Sequence, residues 1–174
     1  MRLAPVPMFF AGDPQAAVAY AVESSRTTHA AQECLDACRL FAAILLGALA
    51  GADKTTVLFG PHTALAEGAA LGPKLQSIAD GAYRSKDAEQ IRGSGYVVDS
   101  LEAALWSFWR TDNFRDAILT AVNLGDDADT TAAVCGQVAG AFYGESGIPG
   151  HWRKQLVMIQ EIRILADQLQ NSQN

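Results

Sequence analysis

Between residues 29 and 49 the apolar positions Leu35, Cys38, Ala42, Leu45 and Leu49 recur at intervals of three and four, and the run stops at Gly51. That spacing lays them along one stripe of an α-helix, whose side chains repeat every 3.6 residues. A glycine just beyond is a natural C-terminal stop. Alanine-rich segments with the same periodicity fill much of the chain, and no alternation of β-branched residues is long enough to build a sheet. The expectation is an all-α fold.

With 174 residues, 49% of them hydrophobic and 18% charged, the chain fits a single water-soluble globular domain over 1–174. A chain of this size hides roughly two-thirds of its unfolded surface, so its core needs neither disulfides nor structural zinc. Thirteen Lys+Arg against 19 Asp+Glu give a net charge of −6. No basic cluster exceeds the pair Arg153 and Lys154. Nucleic acid is therefore not expected as a main partner. The uncharged stretch 40–52 is too short to cross a bilayer and is interrupted by Gly47 and Gly51. The start, Met1-Arg2-Leu3-Ala4-Pro5-Val6-Pro7, is a poor secretory signal, so a cytoplasmic setting is expected, with no membrane partner. The cysteines Cys34, Cys38 and Cys135 lack zinc-ligand spacing. Cys34 and Cys38 share a helix face and read as buried small hydrophobes.

Asp13-Pro14 reads as an N-cap with proline at the first helical position, opening a helix through Val18 and Val22 to about Ser25. Glycines and prolines punctuate short helical pieces between 60 and 95. Asp99 or Ser100 can cap a helix through Leu101, Leu105, Phe108 and Trp109, and Asp112 can open an antiparallel one through Phe114, Ile118 and Val122. A helix over 129–143 ends at Gly144, a last amphipathic helix follows Pro149 to about Leu169, and the tail 171–174 frays. Trp106 and Trp109 recur at helical spacing as core residues, and His62 and His151 read as structural.

The richest chemistry lies in Asn123-Leu124-Gly125-Asp126-Asp127-Ala128-Asp129-Thr130-Thr131, where three carboxylates crowd a loop-to-helix junction. Like charges this close are stable either in water, where they cap a helix and oppose its dipole at about 0.3–1 kcal/mol each, or around a hard cation that prefers oxygen ligands. In a regular helix positions two apart diverge by about 200°, but an irregular N-terminus lets Asp127, Asp129 and the Thr130 hydroxyl converge on one ion. Gly136 and Gly140 then sit inside the following helix at about 1 kcal/mol each relative to alanine, which suits close approach of a neighbouring backbone. The glycine and terminal glutamate spacing of an EF-hand is missing. On residue chemistry alone, a metal-dependent phosphoester hydrolase is a further option, though no nucleophile motif supports it.

The run 125–133, followed by Gly136, Ala139-Gly140-Ala141, Tyr143-Gly144, Ile148-Pro149 and Trp152, resembles the C-terminal signature of the ADP-ribosylglycohydrolase family. Further likenesses lie in Met1-Arg2-Leu3-Ala4-Pro5, in Ser25-Arg26-Thr27-Thr28-His29-Ala30, and in Gly93-Ser94-Gly95-Tyr96-Val97-Val98 with Leu101-Glu102-Ala103-Ala104-Leu105-Trp106. The resemblance implies an orthogonally packed multi-helical domain with two neighbouring Mg²⁺ or Mn²⁺ ions in a cleft. Its reaction would hydrolyse the N- or O-glycosidic bond between ADP-ribose and a modified protein or small molecule, through an oxocarbenium-like state. By residue-by-residue carry-over, Asp127, Asp129 and Thr130 would ligate metal, and Asp126 stands where many relatives have glycine. His29 would meet the phosphates, and Gly95, Tyr96 and Val97 would border the adenosine or adjoining ribose. Without the resemblance, His29 reads as a capping residue and Tyr96 as a packing anchor.

The family's Thr-Asp-Asp-Thr motif, an upstream acidic residue and a glycine-rich phosphate stretch do not occur in this sequence. The expectation is therefore the C-terminal portion of such a domain, N-terminal part missing, with the catalytic acid in that missing part. It carries half of a two-metal site and either belongs to a hydrolase or persists as a noncatalytic ADP-ribose-binding or structural remnant. An apolar face exposed by the missing part would favour a homo-oligomer.

Overall fold

The computed structural model describes residues 2–62, 65 and 70–171. Among the described residues there are ten α-helices, two short 3-10 turns over 82–85 and 88–90, and no strand. In chain order the helices are α1 (Pro5–Phe9), α2 (Pro14–Arg26), α3 (Gln32–Leu49), α4 (Lys54–Phe59), α5 (Pro73–Ala79), α6 (Val97–Trp109), α7 (Phe114–Asn123), α8 (Ala128–Gly147), α9 (Gly150–Gln155) and α10 (Ile159–Asn171). The all-α expectation holds.

Three of these helices, α3, α6 and α8, pack against one another and form the centre. Leu40, Ile44 and Leu45 from α3 meet Leu101, Leu105 and Phe108 from α6 and Val134 and Val138 from α8 in one continuous core. Each such side chain contributes roughly 1.5–3 kcal/mol through burial. Around this triangle α2 lies on α3, and α7 lies on α6 and α8. Lys54, on α4, donates to the Phe108 and Thr111 carbonyls at the C-terminal end of α6, with its Nζ 4.8 Å from the Phe108 ring centroid. A cation there satisfies carbonyls that the helix itself leaves unpaired.

Local chemistry accounts for the outer helices. Asp13 accepts from the Ala16 amide at 3.0 Å, with Pro14 at the first helical position, as the sequence suggests. α7 begins one residue after the position first expected: Asn113, not Asp112, caps it by accepting from the Asp116 amide at 2.9 Å. α6 starts at Val97, ahead of the Asp99 or Ser100 cap read from sequence, because Asp99 instead accepts from the Ser94 hydroxyl at 2.7 Å. α3 starts at Gln32, and the preceding residues turn back so that the His29 amide reaches the Ser25 carbonyl at 2.7 Å. Gly144, with φ +70°, interrupts the helix where a stop is expected.

Two departures concern the ends. The start folds into α1, Pro5–Phe9, which the sequence pattern does not announce, anchored where the Ala4 amide donates to Gln137 Oε1 at 2.8 Å. The last amphipathic segment divides into α9 and α10 at Met158, whose φ of +61° breaks the helix. Residues 156–165 carry much of the exposed apolar surface, including Val157 at 83% and Leu165 at 59%. The expectation of fraying falls partly on residues 172–174, which lie outside the described residues, as does Met1. No helix among the described residues is long and apolar enough to cross a membrane.

Candidate functional site

A cleft of about 480 Å³ opens where α3, α6 and α8 begin. The start of α3 contributes Ala31, Glu33, Cys34, Ala37, Cys38 and Phe41, preceded by Thr28 and His29. α6 brings Gly95, Tyr96, Val97, Ser100 and Leu101, and α8 brings Asp127, Thr130 and Val134. Arg2, Leu3, Ser24 and Ser25 close one side. The wall is mostly apolar, with the polar side chains of Arg2, His29, Glu33, Asp127 and Thr130 set into it, the composition of a small-molecule site.

None of the three N-caps facing this cleft, Ala31, Tyr96 and Asp127, uses its side chain to satisfy its own helix, whereas the peripheral α2 and α7 are capped by Asp13 and Asn113. No cap side chain therefore covers the first-turn amides at these three helix N-termini, each with positive dipole character, although the Cys34 amide donates to the Ala31 carbonyl at 2.9 Å. Such an arrangement suits anionic oxygen. Arg2 adds a guanidinium on the same wall, steadied by donation from Nη2 to Thr27 Oγ1 at 2.7 Å. In the sequence Arg2 stands out only as part of the Met1-Arg2-Leu3-Ala4-Pro5 likeness and carries no site role there, because a lone arginine before two prolines does not show which cavity it will reach.

The acidic loop reaches the cleft through an irregular backbone. Gly125 and Asp126 both have positive φ, +75° and +55°, and the Asp127 amide then donates to the Gly93 carbonyl at 2.8 Å. This turn orients successive residues differently from a regular helix: Asp127 and Thr130 line the cleft, while Asp126 and Asp129 are exposed and do not. The Asp127 carboxylate makes no cap hydrogen bond, so the simple capping account does not describe it. Beneath it Thr131 is fully buried with its hydroxyl unpartnered. The donor atoms that Asp127 and Thr130 bring are oxygens, which a hard divalent cation prefers. Among the described residues no three His, Cys, Asp or Glu side chains come together as a metal-holding group. Asp127 and Thr130 are thus two oxygen-bearing side chains on one cleft wall, fewer than the full ligand set of a hard cation.

The other sequence-selected residues meet at the same place: His29, Gly95, Tyr96 and Val97 all line the cleft. Gly95 packs so closely that an added Cβ would lie 3.3 Å from Asp127 Oδ2. Tyr96 donates its hydroxyl to Glu33 Oε2 at 2.5 Å and accepts from Lys74 Nζ at 2.7 Å, while Lys74 and Glu33 also pair at 3.0 Å. The Tyr96 hydrogen bond and Lys74 hold the Glu33 carboxyl below the ordinary range, and the same contacts push the Lys74 ammonium upward, so the pair stays charged at neutral pH. This three-residue cluster has no sequence signature.

Two expectations change. Cys34 and Cys38 are half-buried cleft residues instead of fully buried core ones, and burial raises the Cys38 thiol above its usual value. Gly136 and Gly140 face not a backbone but the side chains of Ile118 and Phe114 on α7, at 3.6 and 3.9 Å from a hypothetical Cβ.

The sequence profile of the ADP-ribosylglycohydrolase family matches residues 1–174. The ADP-ribosylarginine hydrolase Tri1 of Pseudomonas putida (strain GB-1) is 46% identical over 169 residues, covering 97% of this chain and 44% of that protein. The ADP-ribosyl-dinitrogen reductase glycohydrolase of Rhodospirillum rubrum is 41% identical over 91 residues, covering 50% of this chain and 31% of that protein. A solved structure titled ADP-ribosylglycohydrolase-related protein complex superposes with a TM-score of 0.87 at 39% identity, covering 98% of this chain and 58% of its own. The matched region thus spans less than half the length of each of these two curated relatives.

Proposed function

Because the chain belongs to the ADP-ribosylglycohydrolase family, we propose that the cleft between α3, α6 and α8 receives the ADP-ribose unit of a modified acceptor and serves hydrolysis of the bond joining the two. The observation that carries this reading is the gathering of His29, Gly95, Tyr96, Val97, Asp127 and Thr130, from three separated sequence segments, around one cavity. The uncapped helix starts and Arg2 suit a diphosphate, and the apolar wall with Tyr96 suits a base and ribose. His29, on the cleft wall, donates to a phosphate oxygen.

Asp127 and Thr130 would hold Mg²⁺ or Mn²⁺ from the cleft wall, while Asp129, the third ligand that the resemblance implies, lies outside the cleft lining. When bound, such an ion supplies a cationic centre that orients ribose hydroxyls and makes water more acidic. The chain's own part is to keep the anomeric carbon near that carboxylate and to shield it from bulk solvent with Phe41, Leu101 and Val134. Cleavage at that carbon passes through an oxocarbenium-like state, which a nearby carboxylate stabilises.

A second reading, that this chain binds ADP-ribose without cleaving it, is favoured by the position of Asp129, which is exposed and does not line the cleft beside Asp127. The relatives named as hydrolases of ADP-ribosylarginine make an arginine-linked substrate the first to try. Incubated with ADP-ribosylated arginine protein and Mn²⁺, the chain is expected to release free ADP-ribose, and Asp127→Ala to cut the rate at least a hundredfold. Equal release by both proteins removes Asp127 from the chemistry. Binding of ADP-ribose without release selects the second reading.

A further inference from the structure

Tyr96 is fixed from two sides. Its amide accepts no help from its own helix but donates to Ser94 Oγ at 3.2 Å, and Ser94 in turn donates to Asp99 at 2.7 Å. At the other end of the side chain, the hydroxyl is held between Glu33 at the start of α3 and Lys74 at the start of α5. The Lys74 ammonium also lies 5.0 Å from the Tyr96 ring centroid. Glu33 and Tyr96 line the cleft, whereas Lys74 does not. Swinging the ring away therefore breaks two charge-assisted hydrogen bonds and leaves only the Glu33–Lys74 ion pair.

We propose that Lys74 and Glu33 are positioning residues that hold the Tyr96 ring as the wall against which the base of a bound nucleotide stacks, giving the cleft its preference for base-bearing ligands over simple ribose phosphates. This rests on the ADP-ribose reading above. Lys74 acts through Tyr96: it makes no contribution to the cleft lining, and its ammonium is already committed to the hydroxyl and the carboxylate. The three residues are separated by 22 to 63 positions in the chain, so the contact exists only because α3, α5 and the loop before α6 meet. A preorganised ring loses less freedom on stacking than a mobile one.

The test uses the full chain as parent, Lys74→Met, Lys74→Arg, Tyr96→Phe and the Lys74→Met/Tyr96→Phe double variant. Titration calorimetry with ADP-ribose and with ribose 5-phosphate is read beside ring-carbon NMR signals of Tyr96, assigned through Tyr96→Phe. Lys74→Met is expected to weaken ADP-ribose binding about three- to tenfold, the scale of partly exposed charged contacts, and to leave ribose 5-phosphate unchanged. Lys74→Arg restores binding, and in the Tyr96→Phe background Lys74→Met has no further effect. The Tyr96 ring signals shift in Lys74→Met before any ligand is added. Equal weakening of both ligands would show a general attraction of the lysine for phosphate and overturn the proposal, as would no weakening of either. If the parent binds no ADP-ribose, the functional reading falls. The ring signals then decide the positioning role alone, and unchanged signals in Lys74→Met overturn it.

Discussion

Gly95 and Asp127 face each other across the mouth of the cleft, so closely that a Cβ on the glycine would stand 3.3 Å from the carboxylate oxygen. Two residues earlier the Gly93 carbonyl takes the Asp127 amide at 2.8 Å. The 93–95 segment is thus the seat of the acidic loop. Its glycines answer a need for close approach, not for a phosphate-wrapping loop.

The two glycines should respond differently to alanine. In Gly95→Ala the new methyl meets the end of a side chain that can rotate, so stability should hold within about 0.5 kcal/mol while Mn²⁺ affinity falls as Asp127 is displaced. In Gly93→Ala the methyl meets Thr131 Oγ1 at 3.0 Å and the Gly125 carbonyl at 3.2 Å, inside a buried junction that yields less. A loss of about 1–3 kcal/mol is expected in urea unfolding. Equal stability of the two variants would contradict this geometry.

At Gly136 the opposite sign is expected. A Cβ there meets only Ile118 Cδ1 at an ordinary 3.6 Å, and the residue lies within a helix. Gly136→Ala should raise stability by about 0.5–1 kcal/mol, seen as a higher urea midpoint with unchanged slope. A loss would show that α7 and α8 need a closer approach than the side-chain contacts indicate.

Lys54 joins α4 to the end of α6 through the Phe108 and Thr111 carbonyls. Lys54→Met keeps the aliphatic stem but leaves those carbonyls without their cation. It should cost about 1–2 kcal/mol in urea unfolding, with high salt changing the difference little because the ammonium is largely enclosed. An unchanged midpoint would remove Lys54 from the packing account.

Burial pushes the Cys135 thiol up to about 12, against an ordinary 9.0. Below about pH 9 the thiol is protonated both folded and unfolded, and it adds no pH dependence. Between about pH 9 and 12 the unfolded chain loses that proton while the folded chain keeps it, so stability falls as pH rises. Urea midpoints across this range should drop less steeply for Cys135→Ala than for the parent. Identical slopes would mean that the thiol ionises freely in the fold.

The parts of this architecture that depend on local pattern are visible in the sequence. The long periodic runs of α3, α6 and α8, the Asp13-Pro14 cap and the Gly144 stop each follow from neighbours within a few residues. The helix at 5–9 is held by the distant Gln137 instead, and five residues carry too little periodicity to announce it. The site divides the same way. His29, the 95–97 segment and the acidic loop are recognisable as motifs, but which acid turns inward depends on the positive φ values at Gly125 and Asp126, and no spacing rule specifies them. Arg2 and the Glu33–Lys74–Tyr96 cluster exist only through tertiary packing.

Calorimetric titration of ADP-ribose into the chain, with and without Mn²⁺ and repeated on Asp127→Ala, addresses the cleft most directly. Saturable one-to-one binding, tightened by Mn²⁺ in the parent and indifferent to Mn²⁺ in Asp127→Ala, is the expected result. No binding by a folded parent, or the same Mn²⁺ response in both proteins, would contradict the assignment of this cleft and its inward-facing carboxylate.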